Sequence, residues 1–181
     1  GHKSLYGPMG TGVLILNNRN LKPLLYGGTG TESVKKSQPE GLPEKFESGT
    51  QNMNGISGLK AGVDFVKNRG IKNIYNHEYK LAKRLFNGLA NNRKVITYNK
   101  SFDYGKVAPV VSFNIDGVYS EDLVAKLNKY GIMTRGGLHC SPLAHTTRNT
   151  IENGTVRVVP GAFNTINDIN YLLNVIRKLT N

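Results

Sequence analysis

The chain has 181 residues, enough for one domain or one and a fraction and for a sizeable core. Its hydrophobic share is 38%, or about 45% with glycine counted in place of tyrosine, which argues against disorder, collagen and coiled coil. The net charge of +12 is dispersed, with pairs such as Lys35-Lys36 and Arg93-Lys94 but no run of five basic residues. A solvated basic surface is the simpler reading, and a basic RNA-binding module is the alternative. Apolar runs such as Val13-Leu14-Ile15-Leu16 fall far short of the roughly 18 residues that span a bilayer, so no membrane partner is expected. The single cysteine excludes an internal disulfide and points to a reducing cytoplasm.

The chain opens on Gly1-His2-Lys3, without Met, and runs at once into the glycine-rich turn Gly7-Pro8-Met9-Gly10-Thr11-Gly12. The expectation is a piece of a longer polypeptide, with a cloning scar before a true terminus as the alternative. Val13–Leu16, bounded by Gly12 and Asn17-Asn18, reads as a short buried strand. Residues 24–43 carry no apolar period and read as a long loop. From Ser57 the period turns helical, with Leu59, Val63 and Val66 on one face as far as Gly70. A second helix is expected from about Asn73 to Asn91, with Ile74, Leu81, Leu85 and Leu89 on its buried stripe.

Beyond Asn91 the pattern is α+β. Val95–Tyr98 and Val110–Ile115 read as strands. Ser120 is the expected N-cap of a helix carrying Leu123, Leu127 and Tyr130, stopped by Gly131. Ile132–Thr134 reads as a strand, residues 136–154 as a loop, and Thr155–Val159 as another strand. Thr165 and Asp168 form a capping-box pattern for a last helix with Ile169, Leu172, Leu173 and Ile176. A boundary is expected near residues 88–94, giving domains 1–90 and 91–181.

Several residues are candidates for chemistry. Lys3 becomes a carbonyl-trapping amine if burial or a neighbouring cation favours its neutral form, and a solvated lysine is the alternative. Cys140 follows His139 in a loop opened by Arg135-Gly136-Gly137. A nearby cation would activate its thiol, and a small buried hydrophobe is the alternative. His139, Cys140 and His145 offer zinc ligands, but the spacing is irregular and a fourth ligand is missing, so no metal is expected. Ser48-Gly49-Thr50-Gln51-Asn52 precedes a helix and suits a phosphate or a simple cap. Arg157 shares a strand face with Thr155 and Val159, so its head points into a cleft or snorkels to water.

Taken in order, these motifs resemble the class V aminotransferases, in particular their group II cysteine desulfurase branch. Gly1-His2-Lys3, Tyr6-Gly7-Pro8 and Gly10-x-Gly12 resemble the segment around the cofactor lysine. Phe46-Glu47-Ser48-Gly49-Thr50-Gln51-Asn52 is similar to the family's Arg-Phe-Glu-x-Gly-Thr-x-Asn, with Lys45 in place of the arginine. Arg135-Gly136-Gly137-Leu138-His139-Cys140 resembles the catalytic-cysteine loop Arg-x-Gly-His-His-Cys. Leu138 replaces its first histidine, and Ser141-Pro142 stands where the family tends to have Ala-x-Pro. Arg157 and Asn164-Thr165 match the terminal arginine and Asn-Thr.

The resemblance implies an α/β chain, the C-terminal part of a fold-type I pyridoxal-phosphate transferase. A remnant of the large cofactor domain would be followed by a small α+β domain. Lys3 would hold pyridoxal 5'-phosphate as a Schiff base, His2 would contact its phosphate, and Thr50 would reach the phosphate of a partner subunit's cofactor, which implies a homodimer. Arg157 and Arg135 would bind the amino-acid substrate. Cys140 would take its sulfur as a persulfide, with alanine as co-product and a sulfur-acceptor protein in iron–sulfur cluster assembly downstream. An aminotransferase or selenocysteine lyase with the same cofactor is the alternative. The family's ring-stacking His, pyridine-nitrogen Asp and main phosphate loop precede the lysine and are not in this chain, so the 181 residues alone are expected to be inactive.

Overall fold

The computed structural model describes residues 1–17 and 20–181, which divide into two compact units, Gly1–Gly70 and Ile71–Asn181. Among the described residues no helix is long and apolar enough to cross a membrane. The division falls at Gly70, where a positive φ of 84° ends the first helix, and not near residues 88–94. The second helix lies with the C-terminal unit because its buried stripe packs on that unit's first two strands and last helix.

Among its described residues the first unit holds one helix, α1 (Met53–Arg69), which starts four residues before the expected Ser57. Asn52 caps it, accepting the Gly55 N–H at 3.0 Å. Its buried residues are Gly55, Leu59 and Gly62, while Val63 is exposed and Val66 half-buried, so the face differs from the expected Leu59/Val63/Val66 stripe. Backbone explains the difference. Added Cβ atoms would meet Thr11 Cγ2 at 2.7 Å from Gly55, the Pro8 ring at 3.1 Å from Gly58 and the Leu5 carbonyl oxygen at 2.1 Å from Gly62. Positions 55, 58 and 62 share one helix face, and their missing side chains let the loop 5–11 lie against it.

Val13–Leu16 is not a strand: no neighbouring ladder pairs with it among the described residues, and Val13, Leu14 and Ile15 are exposed. Asn18, expected to bound it, lies outside the described residues. Residues 24–43 form loop and turns without helix or strand, as their lack of periodicity predicts.

The second unit runs α2 (Ile71–Ala90), β1 (Val95–Thr97), β2 (Val111–Ile115), α3 (Ser120–Asn128), α4 (Pro142–Thr147), β3 (Val156–Val158) and α5 (Ile166–Thr180). The sheet is antiparallel in the order β1-β2-β3. Val111, Phe113 and Ile115 of β2 join Leu85 and Leu89 of α2, Leu123 and Leu127 of α3, and Leu172, Leu173 and Ile176 of α5 in one core. Period-2 alternation sends Ser112 and Asn114 to the opposite face. The register sets Arg157 directly across from Ser112, so the guanidinium stands on that second face. The capping box of α5 is present in both directions between Thr165 and Asp168.

Three local expectations fail here for identifiable reasons. Tyr119 occupies the N-cap position of α3, and Ser120 is buried, spending its hydroxyl on loop backbone. Ile132–Thr134 does not join the sheet as a strand. The Ile132 N–H closes back on the Leu127 carbonyl, and among the described residues the one bridge beyond the named strands is Arg135 to Arg157. The expected loop 136–154 contains the short helix α4.

Candidate active site

Each unit carries part of the candidate machinery. In the first, the Lys3 carbonyl accepts the Tyr6 N–H at 2.9 Å and the Gly1 carbonyl accepts the Gly7 N–H at 2.9 Å, closing a tight turn. Tyr6 takes a positive φ of 55°, and its ring meets Phe65 of α1 edge-on at 5.1 Å. His2 and Lys3 are exposed on this turn, which the glycine face of α1 holds from below. Thr50 is exposed two residues before the cap, and its turn is tied down by the Gly49 N–H donating to the Gly28 carbonyl at 2.7 Å. Asn52, and not Thr50, fills the cap, so the Thr50 hydroxyl stays available to another acceptor or donor.

In the second unit the cysteine loop is built on buried polar groups. Ser120 Oγ donates to the Asn153 carbonyl at 2.6 Å and accepts the Gly137 N–H at 3.1 Å. Asn114 donates to the Gly154 carbonyl at 2.9 Å and accepts the Val156 N–H at 3.2 Å. Gly154, at φ 58°, passes so close that an added Cβ would lie 2.6 Å from Gly137 Cα. Both strands of the loop base are thereby clamped to α3 and β2.

At the tip, His139 and Cys140 have φ values of 53° and 60°, and the Ser141 N–H closes on the Leu138 carbonyl at 2.9 Å. Two successive non-glycine residues in the left-handed region store about 1–3 kcal/mol each, held by the clamped base. The turn leaves Cys140 exposed, with Arg135 Nη2 3.8 Å from its sulfur. The alternative of a small buried hydrophobe is therefore set aside.

His139 turns the other way, toward the sheet. Its Nε2 lies 2.9 Å from the Thr155 carbonyl, an acceptor, so Nε2 carries the proton. Nδ1 is buried without a hydrogen-bond partner, which costs about 1–3 kcal/mol. Burial holds the imidazolium below the usual histidine range. The Thr155 carbonyl pulls the other way, and the charges of Arg157, His145 and Arg135 add to the depression.

Beside this ring lies a cavity of about 210 Å³ lined by Tyr98, Ser112, His139, His145, Arg148 and Arg157 among others. Its lining contains two guanidinium and two imidazole groups and no carboxylate. Such a site suits a small anionic group. Arg157 and Thr155 share it, as strand alternation predicts, whereas Arg135 is not in the lining and reaches the thiol. Among the described residues no three His, Cys, Asp or Glu side chains are gathered to hold a metal ion.

The sequence reading missed the tie between buried His145 and Thr150, with Nδ1 2.8 Å from Oγ1, and the place of Arg148 in the cavity. It also missed the glycine face of α1, whose reason is the loop 5–11 that lies against it.

A family model for the class-V aminotransferases matches residues 1–172. A probable cysteine desulfurase from Pyrococcus abyssi (strain GE5 / Orsay) is 36% identical, across 99% of this chain and 45% of its own length. Another from Xylella fastidiosa (strain 9a5c) is 38% identical across 78% of this chain and 34% of its length. Among solved structures, the cysteine desulfurase CsdA (S-sulfonic acid) from Escherichia coli superposes with a TM-score of 0.82 at 27% identity, over 96% of this chain and 43% of that one. The apo cysteine desulfurase from Thermococcus onnurineus NA1 gives 0.69 at 35% identity, over 76% and 34%. The chain thus spans less than half the length of these relatives.

Proposed function

The chain belongs to the class-V aminotransferase family, and from that premise we propose that it carries the later part of a pyridoxal-phosphate-dependent cysteine desulfurase. Its α/β fold is that of the C-terminal part of a fold-type I enzyme. We assign residues 1–70 to the tail of the cofactor domain and 71–181 to the small domain, with the division at Gly70.

The residues present fit this cofactor. An exposed amine stands on a closed turn, with an imidazole next to it and a free hydroxyl before α1. When bound, pyridoxal phosphate supplies an aldehyde and a conjugated ring that withdraws electrons from the substrate's Cα. Lys3 would hold it through Nζ and, once released, move the Cα proton. His2 and Thr50 would hold phosphate, Thr50 that of a second subunit, which makes the enzyme a homodimer.

Arg157 would pair with the substrate carboxylate in the acid-free cavity. Cys140 Sγ would then bond to the substrate sulfur as its Cβ–S bond breaks, leaving a persulfide on Cys140 and alanine. Arg135, 3.8 Å from that sulfur, would steady its negative charge. An exposed thiol also suits onward transfer to an acceptor protein and a reducing cytoplasm.

The observation that carries this reading is the exposed thiol on a strained turn, one residue from an imidazole that lines a cationic cavity. The test uses the full-length enzyme. Borohydride reduction in the presence of pyridoxal phosphate should label Lys3 in the peptide map. Cys140→Ala should keep the label and lose sulfide release from L-cysteine. Undiminished turnover in that variant would favour an aminotransferase or selenocysteine lyase instead.

A further inference from the structure

Tyr98 lies just after β1, and its backbone N–H donates to the Ser112 carbonyl at 3.3 Å, continuing the β1–β2 pairing by one residue. Ser112 is in turn the register partner of Arg157 on β3. Tyr98, Ser112 and Arg157 thus form one row across the second face of the sheet, and all three line the cavity beside His139. Neighbouring strands lie about 4.8 Å apart, so the phenol and the guanidinium flank a short serine between them.

The polarity of a hydrogen-bond chain decides what the phenol does. The Val156 N–H can only donate, and it donates to Asn114 Oδ1 at 3.2 Å. That contact sets the amide. Asn114 Nδ2 then donates to the Gly154 carbonyl at 2.9 Å and to Tyr98 Oη at 3.0 Å. Tyr98 Oη is the acceptor in this chain, which leaves its own proton to be given elsewhere. Among the described residues no acceptor takes that proton. Burial holds the phenol above its ordinary range, against a smaller opposing pull from the Asn114 hydrogen bond, so the hydroxyl keeps its proton.

Arg157 shows the same imbalance. Among the described residues its guanidinium has no ion pair, and the cavity lining holds no carboxylate. Two donors of one row therefore face a cavity that offers them no anion. A ligand carboxylate has two oxygens and about four lone-pair sites, so a guanidinium fork leaves room for a further donor.

We propose that Tyr98 is a further substrate-binding residue, whose Oη–H donates to the carboxylate that Arg157 holds. Asn114 is the positioning residue behind it: tied to the Gly154 and Val156 backbone, it fixes where the phenol oxygen sits. The inference rests on the reading of Arg157 as the carboxylate site. It adds a contact that discriminates amino acids from simple amines.

The test is equilibrium binding of L-alanine, and of ethylamine, which lacks only the carboxylate, to the full-length holoenzyme, followed by cofactor absorbance. Wild type should prefer L-alanine, and a wild type without that preference overturns the contact at once. Tyr98→Phe removes one oxygen and should lower the preference by about tenfold, the scale of a hydrogen bond to a charged acceptor. A phenol that only packs would shift both ligands together, which overturns the proposal. KM for L-cysteine should rise by a similar factor, with a smaller change in kcat. Should Tyr98→Phe fail to fold, Tyr98→Met leaves Asn114 a weak acceptor, donates nothing and carries the same expectation.

Arg157→Lys separates this inference from the reading beneath it. If that variant lowers the preference and Tyr98→Phe does not, the Tyr98 contact is overturned and the carboxylate site stands. If neither changes it, the carboxylate is bound elsewhere and both fall. If the wild type releases no sulfide from L-cysteine, the desulfurase reading falls, and the L-alanine preference of Tyr98→Phe still decides the contact.

Discussion

Arg157 on β3 and Ser112 on β2 are register partners, and that pairing puts the guanidinium on the sheet face turned away from the helical core. Tyr98 follows in the same row, its N–H on the Ser112 carbonyl at 3.3 Å, and all three line the cavity beside His139. A one-residue slip of β3 would bury the guanidinium among Phe113, Leu123 and Ile176. The catalytic geometry proposed for this unit thus depends on strand register as much as on residue identity. Arg157→Lys should keep the fold and raise KM for L-cysteine by about tenfold or more, since a point charge does not replace a bidentate fork. Steady-state kinetics checks it, and an unchanged KM would remove Arg157 from the carboxylate.

The Arg135 contact with Cys140 gives a reactivity prediction that needs no substrate. Arg135→Ala should slow alkylation of Cys140 by iodoacetamide at neutral pH by roughly three- to tenfold, the scale of one partly screened charge near a reacting sulfur. The adduct is followed by mass spectrometry. Equal rates would show that the 3.8 Å approach contributes nothing to the thiol.

Gly62→Ala probes how α1 carries the Lys3 turn. The new methyl would sit 2.1 Å from the Leu5 carbonyl oxygen, which is backbone and must move. Destabilisation of about 1–3 kcal/mol is expected, with weaker incorporation of pyridoxal phosphate, because the turn is displaced as a body. Gly58→Ala, whose nearest neighbour is the Pro8 ring at 3.1 Å, should cost less. Thermal unfolding and cofactor absorbance separate the two; equal effects would mean that the glycine face does not set the turn.

Ser120→Ala removes the hydroxyl that joins Gly137 to Asn153. The Gly137 N–H then loses its partner, while the Asn153 carbonyl keeps the residue-120 N–H at 3.3 Å, at a cost of about 1–3 kcal/mol in urea unfolding. Sulfide release should fall more than cofactor content, since the loop carries the thiol and not the lysine. The reverse order would argue against this clamp.

His139 makes stability depend on pH. Its imidazolium is disfavoured in the folded chain, chiefly by burial and then by neighbouring positive charge, so its folded-state value lies below the ordinary one. The stability it confers is complete above the ordinary histidine pKa of about 6.5 and is lost as pH falls through the lower folded-state value. Unfolding followed from pH 8 to pH 5 should therefore show a decline in the wild type that is shallower in His139→Asn. Identical slopes would place the pH dependence elsewhere.

Much of this protein was legible in the order of its residues. The core of the second unit follows from helical and alternating periodicity at Leu81, Leu85, Leu89, Phe113, Leu172 and Ile176, because burial of an apolar face is a one-dimensional pattern. The capping box of α5 is likewise local chemistry between residues three apart. The motifs around Lys3, Thr50, Cys140 and Arg157 carried the family resemblance. What only the tertiary structure decided lies between distant segments. Gly62 reads as a poor helix residue until Leu5 is seen lying against it, and Ser120 reads as a cap until Gly137 and Asn153 arrive at its hydroxyl. The approach of the His139 and His145 rings to 5.7 Å depends on the path of the backbone from the clamped, left-handed turn into α4. Through-space contacts of this kind leave no period in a sequence, because each is set by the path of the backbone between its two ends.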